Sequence, residues 1–457
     1  MSESRAIAPR AQLRVGLAGV VGFILSMTAP LGQLIGGAPV LLHAVGSAAL
    51  WSYVAATGLM LLFAAGLLAA ARRIVSAGGL VAFIGVGFGP RVQGAAAYLA
   101  LVMYTLAGCS TFAGFAALLH DLVPALPVPL IVAADVAIVG ALGWREIGLS
   151  IRVLVTLLIA ELACLLCLDL TILILAVTTG HLIIPHWQVP GTGAGALVWA
   201  IGSFGGFEAG LVFGEESRAP GRGVPMAVPL AVAALGGIFG LTYWAAANGC
   251  AAGDLMDEAG RDPVSFLYRL DERFLGHQAA LAMRLLAMTS VFAASLGVQN
   301  VAARYWRVAA REGLLPSGLA AVHPVWGSPY RGSTMQSVIF LLLMGAMVAA
   351  GADPMRRILP WCGALAAVAT LVLYIASACA VPLLLHRERL LRGRWLQGAV
   401  APLGAALLFV LLLAFALKNS ALALHSAHMP APLWLSLPLA GLAGLIAASR
   451  ALTKPQA

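Results

Sequence analysis

The sequence predicts an all-α integral membrane protein of twelve transmembrane helices, built as two inverted repeats of five with two C-terminal helices added. Three observations lead there. Of 457 residues, 61% are hydrophobic and 10% charged, with a mean hydropathy of +0.96, whereas a soluble protein carries about 25% charged residues. Apolar runs of membrane-crossing length, about 20 residues each, follow one another along the whole chain. Two of those runs, five apart, are interrupted by proline and glycine at mid-depth. This composition excludes a soluble enzyme, a nucleic-acid reader and a disordered chain.

Between charged or Pro/Gly punctuation the runs fall at 15–42, 46–70, 92–119, 128–143, 150–178, 194–214, 226–248, 279–303, 334–350, 358–385, 396–417 and 431–450. The expected organisation is a basic tail at 1–14, a first repeat at 15–180, a second at 192–386 and the last two helices at 395–452. The run behind the tail is too long for a signal-peptide core. Lysine and arginine set the orientation. With the N-terminus inside, the inner segments hold twenty of these residues, including Arg72, Arg73, Arg145, Arg304, Arg307, Arg311 and Arg387, and the outer ones seven. Both termini are therefore expected in the cytoplasm, and the net charge of +9 reports orientation rather than an acidic partner. The 25 arginines against two lysines fit a GC-rich bacterial genome, hence a bacterial inner membrane. In the long outer loop, 249–278, Asp254, Asp257, Glu258, Asp262, Asp271 and Glu272 balance Arg261, Arg269 and Arg273.

The first run carries TAPLGQLIGGAP, Thr28–Pro39. Pro30 lacks an amide proton and its ring displaces a carbonyl one turn back. Such a segment leaves backbone groups unpaired, which a membrane tolerates only beside protein or a water-filled cavity. The sixth run carries GSFGGFEAGLVFG, Gly202–Gly214, where Gly202, Gly205 and Gly206 loosen the middle and Glu208 follows. Paired interruptions in corresponding positions of two halves mark a transporter site, and an odd offset of five inverts the second unit. The connections agree: a short surface helix fits Ala71–Pro90 on the inside and another fits Pro263–Leu270 on the outside. Half-helix ends offer amides to an anion and carbonyls to a cation, which suits the zwitterion of an amino acid. Its carboxylate is expected on the amides of Gly32, Gln33 and Leu34. Its ammonium is expected near the carbonyls of Met27–Pro30, which include Thr28, and of Ile201–Phe204. Leu31, Ser203 and Gly205 belong to the same two stretches, and Phe204 and Phe207 are candidate lids.

A charged side chain at mid-bilayer costs about 2.5–3.5 kcal/mol on insertion scales, so each ionisable group there needs a reason. Glu208 is the expected proton-coupling residue. Glu161 and Asp169 lie eight apart in the fifth run, with Arg152 nine before Glu161, and can neutralise one another or a neighbouring helix. Asp135 has no evident partner. Glu215 and Glu216, beside Arg218 and Arg222, are candidates for an inner gate. Cys164 and Cys167 form a CxxC in apolar surroundings and read as packing residues. No HExxH, GxSxG or other catalytic motif appears, so neither an enzyme, a cofactor nor a metal site is expected.

Three patches resemble a known family. FGGFEAGLVFGEESRAPGRGVPMAV (Phe204–Val228), RVAAREGLLP (Arg307–Pro316) with the following VHP and SPYR, and RRIVSAGGLVAFIGVGFGPR (Arg72–Arg91) are similar to the amino acid–polyamine–organocation (APC) superfamily, bacterial amino acid permease type. The resemblance spans roughly residues 15–390. It implies the LeuT-type five-plus-five fold, alternating access, and unwound backbone in spans 1 and 6 that holds the substrate. Carried over by position, Gly32, Gln33 and Leu34 occupy the family's small-residue site, with Gln33 and Leu34 departing from it. Ser203, Phe204, Gly206 and Glu208 match the sixth-span pattern. Ser295 and Val298 fall near the site in the eighth span, and Tyr98 or Tyr104 faces it from the third. The expected activity is secondary transport of an amino acid by proton-coupled symport or exchange, with a polyamine or organic-amine antiporter as the alternative. A transport-inactive sensor or assembly partner of the same fold is the reading from another class.

Overall fold

The first apolar run folds as two helices, α1 (Leu17–Thr28) and α2 (Pro30–Val45), split at Ala29. Ala29 has φ +50° and ψ +66° and is the sole non-glycine residue with positive φ among the described residues. For an L-residue that conformation costs about 1–2 kcal/mol, and Pro30 behind it has no amide to continue the ladder. The computed structural model describes residues 16–71, 74, 78–145, 147–185, 193–212, 223–250, 254–387, 395–418 and 429–453, without the side chains of 147–153, 193–194 and 223–224. Glu215 and Glu216 lie outside the described residues, as does the Arg152 side chain.

The chain continues through α3 (Ala49–Ala71), α4 (Gly79–Phe88), α5 (Pro90–Leu122), α6 (Val128–Leu142) and α7 (Ile147–Thr178). The sixth run splits into α8 (Gly193–Gly202) and α9 (Ala209–Val212) around the turn 203–208. Then come α10 (Gly223–Gly249), the short connecting helices α11 (Leu255–Arg261) and α12 (Phe266–Leu275), α13 (His277–Arg311), α14 (Tyr330–Ala349), α15 (Leu359–Arg387), α16 (Ala401–Lys418) and α17 (Ala431–Thr453). All regular structure among the described residues is helical, and nine stretches there are long and apolar enough to cross a membrane.

One pattern occurs twice. A run broken at a positive-φ residue, Ala29 or Gly206, opens each half. A short connecting helix, α4 or α12, ends on a glycine whose backbone angles nearly coincide: Gly89 at φ 93°, ψ 173° and Gly276 at φ 92°, ψ 171°. Each glycine then starts a long helix, α5 with 33 residues and α13 with 35. Only glycine adopts that angle without strain.

Two features differ from expectation. α4 is no surface helix, because Leu80, Val81, Phe83 and Ile84 are buried where it packs on α5 and α15. α13 extends eight residues beyond the apolar run, since arginines end hydrophobicity without ending a helix; Arg304 and Tyr305 stay buried in that extension.

The packing forms two groups. α1, α3, α8 and α10 lean on one another, while α5, α6, α13 and α14 interlock beside them. α17 docks on α5, where Gly444 lies directly against the Gly94 backbone and Ala448 covers Gly94. Close approach of this kind needs the absent side chains. Gly444→Leu is expected to lower stability by about 1–3 kcal/mol through overpacking, read as a fall in melting temperature of the detergent-solubilised protein. Unchanged melting would disprove this helix contact.

Candidate functional site

The two interruptions touch. A Cβ built on Gly206 would lie 3.4 Å from Met27 Cγ and 3.7 Å from the Met27 carbonyl oxygen. The end of α1 therefore sits on the turn that splits the sixth run. The eighth span closes the same spot, with Gly297 against Met27 and Gly32 against Val291.

At the start of α2 the first turn offers amides that no helical carbonyl can take. Pro30 has none. The Leu31 amide donates to Glu161 Oε1 of α7, and the same oxygen accepts the Ser290 hydroxyl of α13 at 2.9 Å. The Gln33 amide closes back onto the Ala29 carbonyl at 2.9 Å. Glu161 thus caps the positive end of a half-helix from another helix, joining α2, α7 and α13. Asp169, two turns further along α7, is bound elsewhere: its Oδ2 accepts the Thr242 hydroxyl of α10 at 2.7 Å.

Glu208 lies on the other side of the sixth-run turn. Tyr374 of α15 donates to its Oε2 at 2.7 Å, Tyr104 of α5 to its Oε1 at 3.1 Å, and the Gly206 amide to Oε2 at 3.1 Å. Three donors on an acceptor pair satisfy the carboxyl in an interior where an unpaired one is costly. Glu208 therefore fastens the broken sixth run to α5 and α15.

A hydroxyl chain links the sixth-run turn to α3 and α10. Ser203 Oγ donates to the Trp199 carbonyl at 3.2 Å and lies 2.8 Å from the Tyr53 hydroxyl, which lies 3.2 Å from that of Tyr243. Because Ser203 spends its proton on Trp199, the chain orders as Tyr243 to Tyr53 to Ser203. Gly37 of α2 faces the Tyr243 hydroxyl and the Trp199 ring. Gly36 and Gly202 are exposed, and a Cβ on either would meet nothing within 4 Å. Gly32, Gln33, Gly205 and Gly206 beside them are half-exposed.

The remaining expected residues distribute as follows. Leu31, Leu34, Thr28 and Pro30 are buried around the first interruption, with the Thr28 hydroxyl donating to its own helix at Ile24. Ser295 likewise donates within α13, to Val291, and Val298 is buried on the same helix. Phe204 and Phe207 are 0% exposed. Phe204 packs edge-on against Phe239, and Phe207 joins Phe63, Tyr374 and Phe409. Both rings are packed among side chains of α3, α10, α15 and α16. Tyr98 lies apart, its hydroxyl donating to the Leu314 carbonyl at 3.0 Å, whereas Tyr104 reaches Glu208. Ser290, Tyr53, Tyr243 and Tyr374 escaped the sequence reading. Tyrosines inside apolar runs were the available signal for the last three; Ser290 gave none.

Residues 18–443 match the family described as amino acid permease. No curated protein matches the chain at sequence level. Among solved structures it is similar to a mutant of the Eremococcus coleocola manganese transporter, at 13% identity and a TM-score of 0.56, over 98% of this chain and 97% of that one. The same transporter in complex with an aromatic bis-isothiourea substituted compound aligns at 14% identity and 0.56, over 98% and 97%. At such identities the likeness concerns the fold alone.

Proposed function

The chain belongs to the amino acid permease family, and from that premise we propose a secondary transporter of twelve crossings, in two inverted repeats at 15–180 and 192–386, that moves an amino acid by alternating access with proton coupling. The observation that carries this reading is the contact of two interrupted helices, with a protein carboxyl on the Leu31 amide at the start of the second half-helix. The substrate carboxylate meets Gly32, and meets Leu31 once Glu161 has taken a proton. In that scheme Glu161 is the coupling residue, because its charge competes with the substrate for one amide, and Glu208 holds the sixth-run turn in place.

Manganese, the cargo named for the similar structures, is a poorer reading: among the described residues no three His, Cys, Asp or Glu side chains group to hold a metal ion. An organic amine without a carboxylate is the second reading, favoured by Glu161 already occupying the Leu31 amide. Uptake of radiolabelled amino acids and polyamines into proteoliposomes, with and without an inward proton gradient, decides between them. Saturable, gradient-stimulated uptake of an amino acid is expected; a polyamine alone supports the second reading. Binding that shifts the melting temperature without any transport points to a sensor, and no saturable uptake removes the proposal. Glu161→Gln is expected to abolish stimulation by the gradient, at least tenfold, while counterflow slows but stays measurable. Full stimulation in that variant would exclude Glu161 as the coupling group.

A further inference from the structure

A groove runs along the side of the bundle where α5, α15 and α17 meet, floored by α4. Its volume is about 370 Å³, within the range of roughly 300–1,000 Å³ that holds an organic ligand. All twelve residues around it are apolar, among them Ile84 of α4, Val92 and Leu99 of α5, Val372 of α15, and Leu437 and Gly441 of α17. Val92 and Val372 are exposed, as are Leu439 and Leu442 beside the groove on α17, so it opens sideways. α5, α15 and α17 are each long and apolar enough to cross a membrane, which puts acyl chains rather than water at that opening.

One end of the groove is positively charged. The last turns of α4 bring the start of α5 and the end of α15 together, with Gly85 against the Gln93 side chain and Gly87 against Ala380. There Arg387 Nη1 donates to the Val86 carbonyl at 2.9 Å, two residues beyond Ile84 of the groove floor. Arg91, Ala95 and Leu99 succeed one another at intervals of four, which places them on one face of α5. The last two line the groove, so Arg91 stands one helical turn past its end. Both arginines are exposed, and neither has an acidic partner among the described residues. Glu312, at the same end, accepts from Gln93 Nε2 at 2.7 Å instead.

We propose that this groove binds an acyl chain of an anionic phospholipid whose phosphate lies on Arg91 and Arg387. Hydrocarbon fills the apolar trough, and the guanidinium groups at its end present N–H donors to the phosphate oxygens. Basic clusters between membrane-crossing helices take anionic head groups in this way. A phosphatidylcholine offers the same chain and phosphate, but its own choline cation cancels the charge that the arginines would meet. α5 and α15 are also the helices whose Tyr104 and Tyr374 hold Glu208, so a chain seated between them braces that clamp from behind.

The test uses the full-length protein, stripped of lipid in detergent, and reads native mass spectra and thermal unfolding. Phosphatidylglycerol and phosphatidylcholine of identical chains are compared, with glycerol phosphate as the head group alone. One phosphatidylglycerol should bind saturably, at least fivefold more tightly than phosphatidylcholine, and raise the melting temperature; glycerol phosphate should do neither. Gly441→Leu fills the groove, because a Cβ at Gly441 meets nothing within 4 Å, and should weaken binding of both lipids at least tenfold. Should that variant fail to fold, Ala376→Leu fills the same space from α15 and takes its place. Arg91→Gln combined with Arg387→Gln should bring the two lipids within twofold of each other. Equal affinity of the wild-type protein for both lipids, or a preference that survives the paired glutamines, overturns the head-group assignment and the proposal with it. Full binding by the filled variant, a melting shift reproduced by glycerol phosphate, or a lipid-free dimer that the filled variant breaks up overturns it equally.

Discussion

Glu208→Leu is expected to lower stability by about 3–5 kcal/mol and to eliminate uptake, the largest structural effect of any single substitution considered. The leucine is similar in volume but accepts nothing. The hydroxyls of Tyr104 and Tyr374 and the Gly206 amide, all aimed at the carboxyl, would be left buried as orphan donors, and each such group costs about 1–3 kcal/mol. Glu208→Gln keeps one acceptor oxygen, and the tyrosine hydroxyls can rotate to serve the new amide, so it should melt within about 1 kcal/mol of wild type. Thermal unfolding in detergent compares the three proteins directly. Equal melting of the leucine variant would show that the three bonds carry no net stability. The glutamine variant has a second use, because retained gradient-driven uptake there leaves Glu161 as the coupling site, whereas its loss returns the role to Glu208.

The second large effect is expected at Gly206. Its φ of +101° lies where a β-branched residue is a genuine outlier, and any Cβ there approaches Met27 at 3.4 Å. Gly206→Val must untwist the turn, withdraw the amide from Glu208 and push the first interrupted helix aside. Transport should fall at least a hundredfold. Gly237→Ala on α10 is the control, since a helical glycine with nothing within 4 Å accepts a methyl and gains helix propensity. Initial uptake rates at equal amounts of inserted protein check both, and substantial activity in the valine variant would mean that the turn is not part of the moving site.

The contrast between these two positions and the rest shows what the sequence could disclose. Pro30 and the glycines of Gly202–Gly206 betray both interruptions, because proline and glycine act on backbone geometry locally. Ala29 does not, because nothing in an alanine announces a left-handed conformation imposed by its neighbours. Glu161 and Asp271 are visible as ionisable residues, but the first has a partner 130 positions away and the second is buried with none among the described residues. Both are tertiary facts. Asp271 reads in sequence as one more acid among the outer arginines, and only the inward turn of α12 separates it from them. Phe204 and Phe207 sit in the right segment, yet the direction of a ring on an irregular turn has no sequence periodicity to fix it. Hydropathy, similarly, marks where α13 leaves the apolar layer and is silent on where its coil ends.

The near-identical glycine joints at Gly89 and Gly276 carry a consequence for direction. Under the expected inverted topology they occupy opposite faces, so each compartment meets a similar elbow leading into a similarly long rod. Such a device has no preferred sense of turning in its framework. Net flow must then be dictated by concentrations and by the side chains that break the likeness, and the same molecule should run backwards whenever the gradients across it are reversed.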